Sequence, residues 1–229
     1  MMVELGAGAV LVGGAVHGAF HRNSPLFGSP VTHLRTTEPS VALTFDDGPN
    51  EQATPAILDA LAARGVRATF FVLGRHADQW PHLVKRIADE GHAIGNHGYF
   101  HRKLHFKSPS YVRNDLSLGT QAIERASGYH PRFFRAPHGF RSPWVSSIAR
   151  SLGQRTVGWS FGVWDSDKPG ADVIVERILA RTKAGSILLL HDGDGYDPGG
   201  DRAQTAQAVP VIVDRLVAQG YRFALLDAA

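Results

Sequence analysis

The stretch VALTFDDGPN, Val41 to Asn50, decides how the rest of the chain is read. Val41, Ala42, Leu43, Thr44 and Phe45 are mostly β-formers and predict a strand. Two carboxylates then stand side by side, Asp46 and Asp47, and Gly48 and Pro49 close the segment. An Asp-Gly turn explains one acid, because Asp caps the turn and Gly takes positive φ. It does not explain two. Adjacent carboxylates raise each other's pKa unless something positive sits between them or one of them does work.

Beyond this strand the sequence alternates. Strand patterns fall at 41–45, 68–72, 92–97, 132–137, 154–160, 186–192 and 221–226. Helical patterns lie between them at 53–65, 80–91, 108–128, 142–153, 171–185 and 204–220, several with Pro in the first turn or Gly at the end. Pro210 inside the last of these predicts a kink or a later start. Strict β-α alternation argues for a parallel sheet. Strands such as SILLL and ATFFV are apolar at every position, as a sheet covered on both faces requires. A doubly wound sheet would want a G-x-G-x-x-G turn after its first strand, and Asp-Asp-Gly-Pro stands there instead. The expectation is therefore a β/α barrel.

Composition is consistent with that. The chain has 229 residues, 43% apolar and 20% charged, enough for a globular core. It has no cysteine, which excludes disulfides and thiolate metal sites. The net charge of +3 comes without a Lys/Arg run or a basic-aromatic stripe, which argues against nucleic acid as a partner. Twelve histidines make their placement worth following. At the amino terminus, Gly6 to Phe20 is apolar but shorter than the ~20 residues of a membrane span. It reads as the tail of an anchor, an interfacial segment, or a helix packed on the domain. HRNSPLFGSP (21–30) reads as a Pro/Gly linker. The expected organisation is an apolar segment with linker over 1–38 and a catalytic domain over 39–229.

The polar residues then fall into place. Asp46 and Asp47 follow the first strand, His97 ends the third with His101 four residues on, and Arg135 ends the fourth. Asp165 follows the fifth and His191 ends the sixth. Each sits at the carboxyl end of its strand, the face on which a β/α barrel carries its active site. An H-x-x-x-H pair can present two imidazoles to one cation, or it can be a His-rich surface turn. With an Asp from the first strand it makes a three-ligand set with open positions, suited to Zn²⁺, Co²⁺ or another divalent ion. The second Asp can then act as a base on water, and His191 can donate a proton to a leaving group. Arg135 and Asp165 read either as a pair that tunes the base or as a structural ion pair.

These residues carry a resemblance. TFDDGP, HGYFH, RAPHG, WDSD and LLLHD, in this order, resemble the five motifs of the polysaccharide deacetylase family, the NodB-homology domain of carbohydrate esterase family four. The likeness runs from about Pro39 to Asp227. It implies a distorted (β/α)7 barrel and metal-dependent hydrolysis of acetyl groups on an acetylated glycan. By position it implies Asp46 as general base, Asp47, His97 and His101 as metal ligands, and His191 as general acid. Arg135 would orient the base, and Asp165 would position His191 or Arg135. Zn²⁺ is the first expectation for the ion. A glycan substrate points to the cell envelope, with the apolar amino-terminal segment as a route to membrane association.

Three positions depart from the family pattern: Gly98 stands for Ser or Thr, His138 for Tyr, and Ser166 for Trp. They bear on the substrate more than on the reaction. His138 would contribute a backbone N–H at the oxyanion. Trp164 or Trp159 would wall the acetyl methyl, with Trp159 read more readily as core. The Gly-rich acidic loop 192–202 is a groove loop carrying Tyr196 as a sugar platform, or a solvated connection. Two rival readings are an amidohydrolase of small non-sugar amides and a non-catalytic carbohydrate-binding relative. The presence of both members of a proton-transfer pair speaks against the second.

Overall fold

The computed structural model describes residues 16–21 and 23–226, so residues 6–15 of the apolar amino-terminal stretch lie outside the described residues. Eight parallel strands form one sheet: β1 (Ser40–Asp46), β2 (Thr69–Val72), β3 (Ala93–Asn96), β4 (Phe133–Phe134), β5 (Arg155–Thr156), β6 (Phe161–Gly162), β7 (Ile187–His191) and β8 (Arg222–Phe223). Their lateral order is β5-β4-β3-β2-β1-β7-β6, with β8 paired to the start of β1. Among the described residues, seven helices lie between these strands: α1 (Ala53–Ala62), α2 (Gly74–Gln79), α3 (Pro81–Asp89), α4 (Pro109–Ser127), α5 (Val145–Ser151), α6 (Ala171–Leu179) and α7 (Ala203–Ala218).

All seven expected strands are present, and β6 is an eighth, formed by two residues in a stretch read as loop. The sheet curls into a barrel that stays open, because β5 and β6 do not pair. Residues 31–33 cross that gap. Val31 bridges Val157 beyond β5, and His33 bridges Ser186 at the start of β7. The helix α2 was not expected from sequence. Pro210 lies inside α7 and does not mark its start. The longest helix, α4, shows why its ends fall where they do: Ser108 accepts the Tyr111 N–H at 3.2 Å, Pro109 opens the first turn, and Gly128 closes it in the left-handed conformation.

Strand alternation sorts the core into two layers. Val41, Leu43 and Phe45 of β1, with Leu188 and Leu190 of β7, face outward into the main core beside Ile57, Leu61, Ile212 and Leu216 of α1 and α7. Ala42 of β1, with Ile187 and Leu189 of β7, faces the barrel interior beside Phe71, Trp159 and Leu34. Phe45 and Phe70 stack in the outer layer with ring centroids 5.0 Å apart, both buried. Phe45→Ala should therefore lose about 3–5 kcal/mol of stability in denaturant unfolding, and a loss below about 1 kcal/mol would contradict this packing.

Candidate active site

The same alternation that buries the barrel interior places the reactive groups. Ala42, Thr44 and Asp46 share the inner face of β1, and Ile187, Leu189 and His191 share that of β7. The register pairs Asp46 directly with His191 on the neighbouring strand. Asp47 comes one residue later and would point away if the strand continued. The chain turns there instead, with Asp47 at φ 73°. His97 follows β3, and His101 returns to it through a turn at φ 54°.

Asp47, His97 and His101 meet with their ligand atoms all within 4.8 Å of one another. Asp47 Oδ1 lies 3.2 Å from His97 Nε2 and 3.0 Å from His101 Nε2. The Nδ1 of His97 is 2.9 Å from the carbonyl oxygen of Arg135. A carbonyl can only accept, so Nδ1 carries the proton and Nε2 is left with a lone pair. That lone pair faces a carboxylate oxygen that is buried and without a hydrogen-bond partner among the described residues. Two acceptors held this close call for a cation between them, and separations near 3 Å suit ligands each about 2 Å from a shared ion. The residues fit a divalent metal.

Asp46 and His191 are each held by a separate partner. Arg135, fully buried, donates to Asp46 Oδ1 at 2.6 Å, to Thr44 Oγ1 at 2.9 Å and to the Gly158 carbonyl at 2.8 Å. Its guanidinium lies 4.0 Å from the Phe71 ring centroid. Asp46 Oδ2, 3.8 Å from His97 Nε2, faces the cluster. Across the mouth, Asp165 Oδ1 is 2.8 Å from His191 Nδ1, and Asp165 Oδ2 accepts from the His191 backbone N–H and from Thr205. Burial lowers the His191 pKa, but the Asp165 charge outweighs it and raises the imidazole to about 9. Burial likewise works against ionised Asp165, whose carboxyl is nevertheless lowered by His191. Arg135 and Asp165, read from sequence as a pair, are thus not one. Arg135 belongs to Asp46 and Asp165 to His191, because β4 and β6 approach the mouth from opposite sides of the β1–β7 pair.

A cavity of about 720 Å³ opens over these groups. Trp159 and Leu189 are on its lining, and His138, Trp164 and Tyr196 are exposed around it. His138 Nε2 is 2.8 Å from the Tyr196 hydroxyl, and its ring lies 4.7 Å from that of His101. The loop 192–202 is therefore part of the groove. Gly195 presses its backbone against the His101 imidazole, where any Cβ would collide. Asp47, His101, His138 and Trp164 all adopt positive φ, and all four line the cavity. Such strain persists where surrounding structure over-determines it. Ser166 is exposed beside Trp164, which takes the rim position.

Two residues of the site escaped the sequence reading. His76 is fully buried in α2 and lies with Nδ1 2.8 Å from the Asp47 carbonyl, so it fixes the backbone of that turn. Burial pushes its pKa down to about 4, which keeps it neutral. Asp192, buried behind the Asp46-Asp47 turn, accepts from Thr54 at 2.6 Å. Burial, with the charges of Asp47 and Asp46, pushes it up to about 7. His76 lies in a segment without apolar periodicity, and Asp192 stands in LLLHD in the shadow of its neighbour.

Comparison with known proteins follows the same residues. Residues 33–157 match the family described as polysaccharide deacetylase, a span that includes Asp46, Asp47, His97, His101 and Arg135. A peptidoglycan-N-acetylglucosamine deacetylase of Bacillus cereus is 39% identical over 186 residues, which cover 81% of this chain and 66% of that protein. A chitooligosaccharide deacetylase of Bradyrhizobium is 38% identical over 191 residues, 80% of this chain and 86% of that protein. A solved structure, a CE4-family pseudoenzyme from Bacillus anthracis, aligns with a TM-score of 0.80 at 27% identity, over 87% of this chain and 68% of that one.

Gly98, one of the departures noted from sequence, has a local reason. It sits at φ 80°, and a Cβ there would meet Asp115 Oδ2 at 2.5 Å. Asp115 Oδ1 accepts the backbone N–H groups of Tyr99 and Phe100 at 3.3 and 3.0 Å. A carboxylate from α4 thus braces the loop between His97 and His101 and occupies the room a side chain at 98 would need. Gly98→Thr should cost about 1–3 kcal/mol in thermal or denaturant unfolding, and an unchanged stability would show that the loop is not held this way.

Proposed function

The chain belongs to the polysaccharide deacetylase family, and from that membership we propose that it is a metal-dependent hydrolase that removes N-acetyl groups from an amino-sugar glycan and releases acetate. The observation that carries this reading is the register pairing of Asp46 with His191 beside the Asp47, His97 and His101 cluster. A base, an acid and a cation-ready ligand set face one cavity. A pseudoenzyme among the relatives means that family likeness alone does not carry activity; what supports activity here is that Asp46, His191, Asp47, His97 and His101 share one cavity. The relatives that act on peptidoglycan and on chitooligosaccharides support N-acetylglucosamine as the substrate unit. Such a substrate fits work at the cell envelope.

Asp47, His97 and His101 would hold one divalent ion, Zn²⁺ or Co²⁺, which when bound supplies Lewis acidity toward water and the acetyl carbonyl. The rest is done by the chain. Asp46 has Oδ1 committed to Arg135, so Oδ2 is the atom that takes the proton from the attacking water. The water oxygen bonds to the acetyl carbon, and the His138 backbone N–H would support the charge that builds on the carbonyl oxygen. His191, kept protonated by Asp165, gives its Nε2 proton to the sugar nitrogen as the C–N bond breaks. Acetate and a free amine result.

The test is acetate release from N-acetylglucosamine oligomers by chelator-treated and Zn²⁺-reloaded protein. Release should depend on the ion, and Asp46→Asn should lower kcat by at least about 100-fold. Near-full activity in Asp46→Asn, or activity indifferent to chelation, would overturn the assignment. The pH profile gives a second check. His191 is active while protonated, so kcat/KM should fall as pH rises through about 9. The same raised pKa makes the His191–Asp165 pair a source of stability that is full below about 6.5 and lost through about 9. In Asp165→Asn the basic limb should move down toward about 6.5, and a limb that stays put would remove Asp165 from this role.

A further inference from the structure

Residues 16–21 and 23–34 carry none of the proposed chemistry, yet part of this arm stands in the cavity wall. Phe20 and His21 line the same cavity as Asp46 and Asp47. This arm is tied down firmly. Arg141, buried, donates to the carbonyls of Ser24 at 2.7 Å, Gly28 at 2.5 Å and Phe27 at 3.2 Å, and its backbone N–H reaches the Ala19 carbonyl at 3.3 Å. Ser146 Oγ adds a bond to the Phe27 carbonyl at 2.8 Å, and the Asn23 amide donates to the Trp159 carbonyl at 3.2 Å. Charge-assisted bonds to several carbonyls of one segment fix its path.

What this clamp holds in place is Phe20. Its ring is 45% exposed and lies edge-on to Phe140 at 5.5 Å and to Phe106 at 5.9 Å between centroids. Phe140 lies 6.0 Å from His138, and His138 lies 4.7 Å from His101. A continuous run of rings therefore leads from the metal-ligand set to the arm. Lys103, 5.9 Å from the Phe140 ring and on the same cavity, adds a cation beside them. Exposed aromatic rings grouped beside a polar cleft mark a binding surface. The apolar C–H face of a pyranose ring is flat and matches them, while Lys103 can meet its hydroxyl or acidic substituents.

We propose that Phe20, with Phe140 and Phe106, forms a sugar subsite that takes a glycan residue neighbouring the one deacetylated, and that Arg141 is the positioning residue that holds the arm there. The occupant follows from the proposed glycan deacetylase function; the wall itself follows from the arm's packing.

The full chain should be titrated calorimetrically with the dimer and the pentamer of N-acetylglucosamine, as wild type, Phe20→Ala and Phe20→Tyr, and kcat/KM for acetate release measured on both. Phe20→Ala should weaken pentamer binding on the order of 3- to 10-fold and lower the pentamer-to-dimer ratio of kcat/KM by a similar factor. Phe20→Tyr keeps a flat ring and should restore both. An equal effect on dimer and pentamer, no effect on either, or a wild type that binds neither would overturn the subsite. Wild type that binds the pentamer through Phe20 but releases no acetate would keep the subsite and overturn the deacetylase reading instead.

Discussion

Asp46 and Asp47 are buried side by side at the end of β1, and much of the surrounding structure answers to their charge. Taking a carboxylate out of water costs several kcal/mol unless it is paired and hydrogen-bonded. Each acid has its own solution. Asp46 receives the guanidinium of Arg135, whose remaining donors go to Thr44 and Gly158 and whose face covers Phe71. Asp47 faces two imidazole nitrogens, one with its lone pair aimed at the carboxylate, an arrangement that a cation between them would complete. A third acid at this spot, Asp192, is pushed up to about 7, first by burial and then by those two charges. The opening question of the sequence, why a strand ends on two acids, thus has an answer in charge: one is matched by an arginine, and the other forms a place for a cation.

The barrel makes this arrangement possible by alternation and by being incomplete. Period-two packing sends Asp46 and His191 inward from adjacent strands, so the two side chains need no loop to bring them together. Asp47 departs from that period through a left-handed turn, and His101 and His138 do the same on their loops. The arm that precedes β1 passes the cavity at Phe20 and His21 and then bridges the opening between β5 and β6 at Val31 and His33. A sheet closed by strand pairing would have no gap for the arm to bridge. One segment thus touches both the sheet opening and the cavity.

Much of this was legible from the residues. Strand periods and helix ends are local, so the seven strand positions and the convergence of polar residues at their carboxyl ends could be read directly. Partner choice across the mouth could not. Arg135 and Asp165 each stand at a strand end, but lateral order decides that one faces β1 and the other β7. The helix α2 has no apolar repeat and is anchored by the Gly74 N–H on the Gly98 carbonyl, a contact 24 residues distant in sequence and invisible to pattern. HRNSPLFGSP has a linker's composition, yet it packs through its backbone carbonyls. Every residue owns a carbonyl, so composition could not reveal that Arg141 would collect three of them. Gly98 departs from the family pattern in the loop between the two histidines, and Asp115, seventeen residues away, accounts for it.

The central claim is that Asp47, His97 and His101 form one cation site. It is tested most directly by calorimetric titration of Zn²⁺ into chelator-treated protein, with His101→Ala beside it. One ion per chain, a higher unfolding temperature when the ion is bound, and loss of both in the variant are expected. Absence of stoichiometric binding, or binding that survives His101→Ala unchanged, would contradict it.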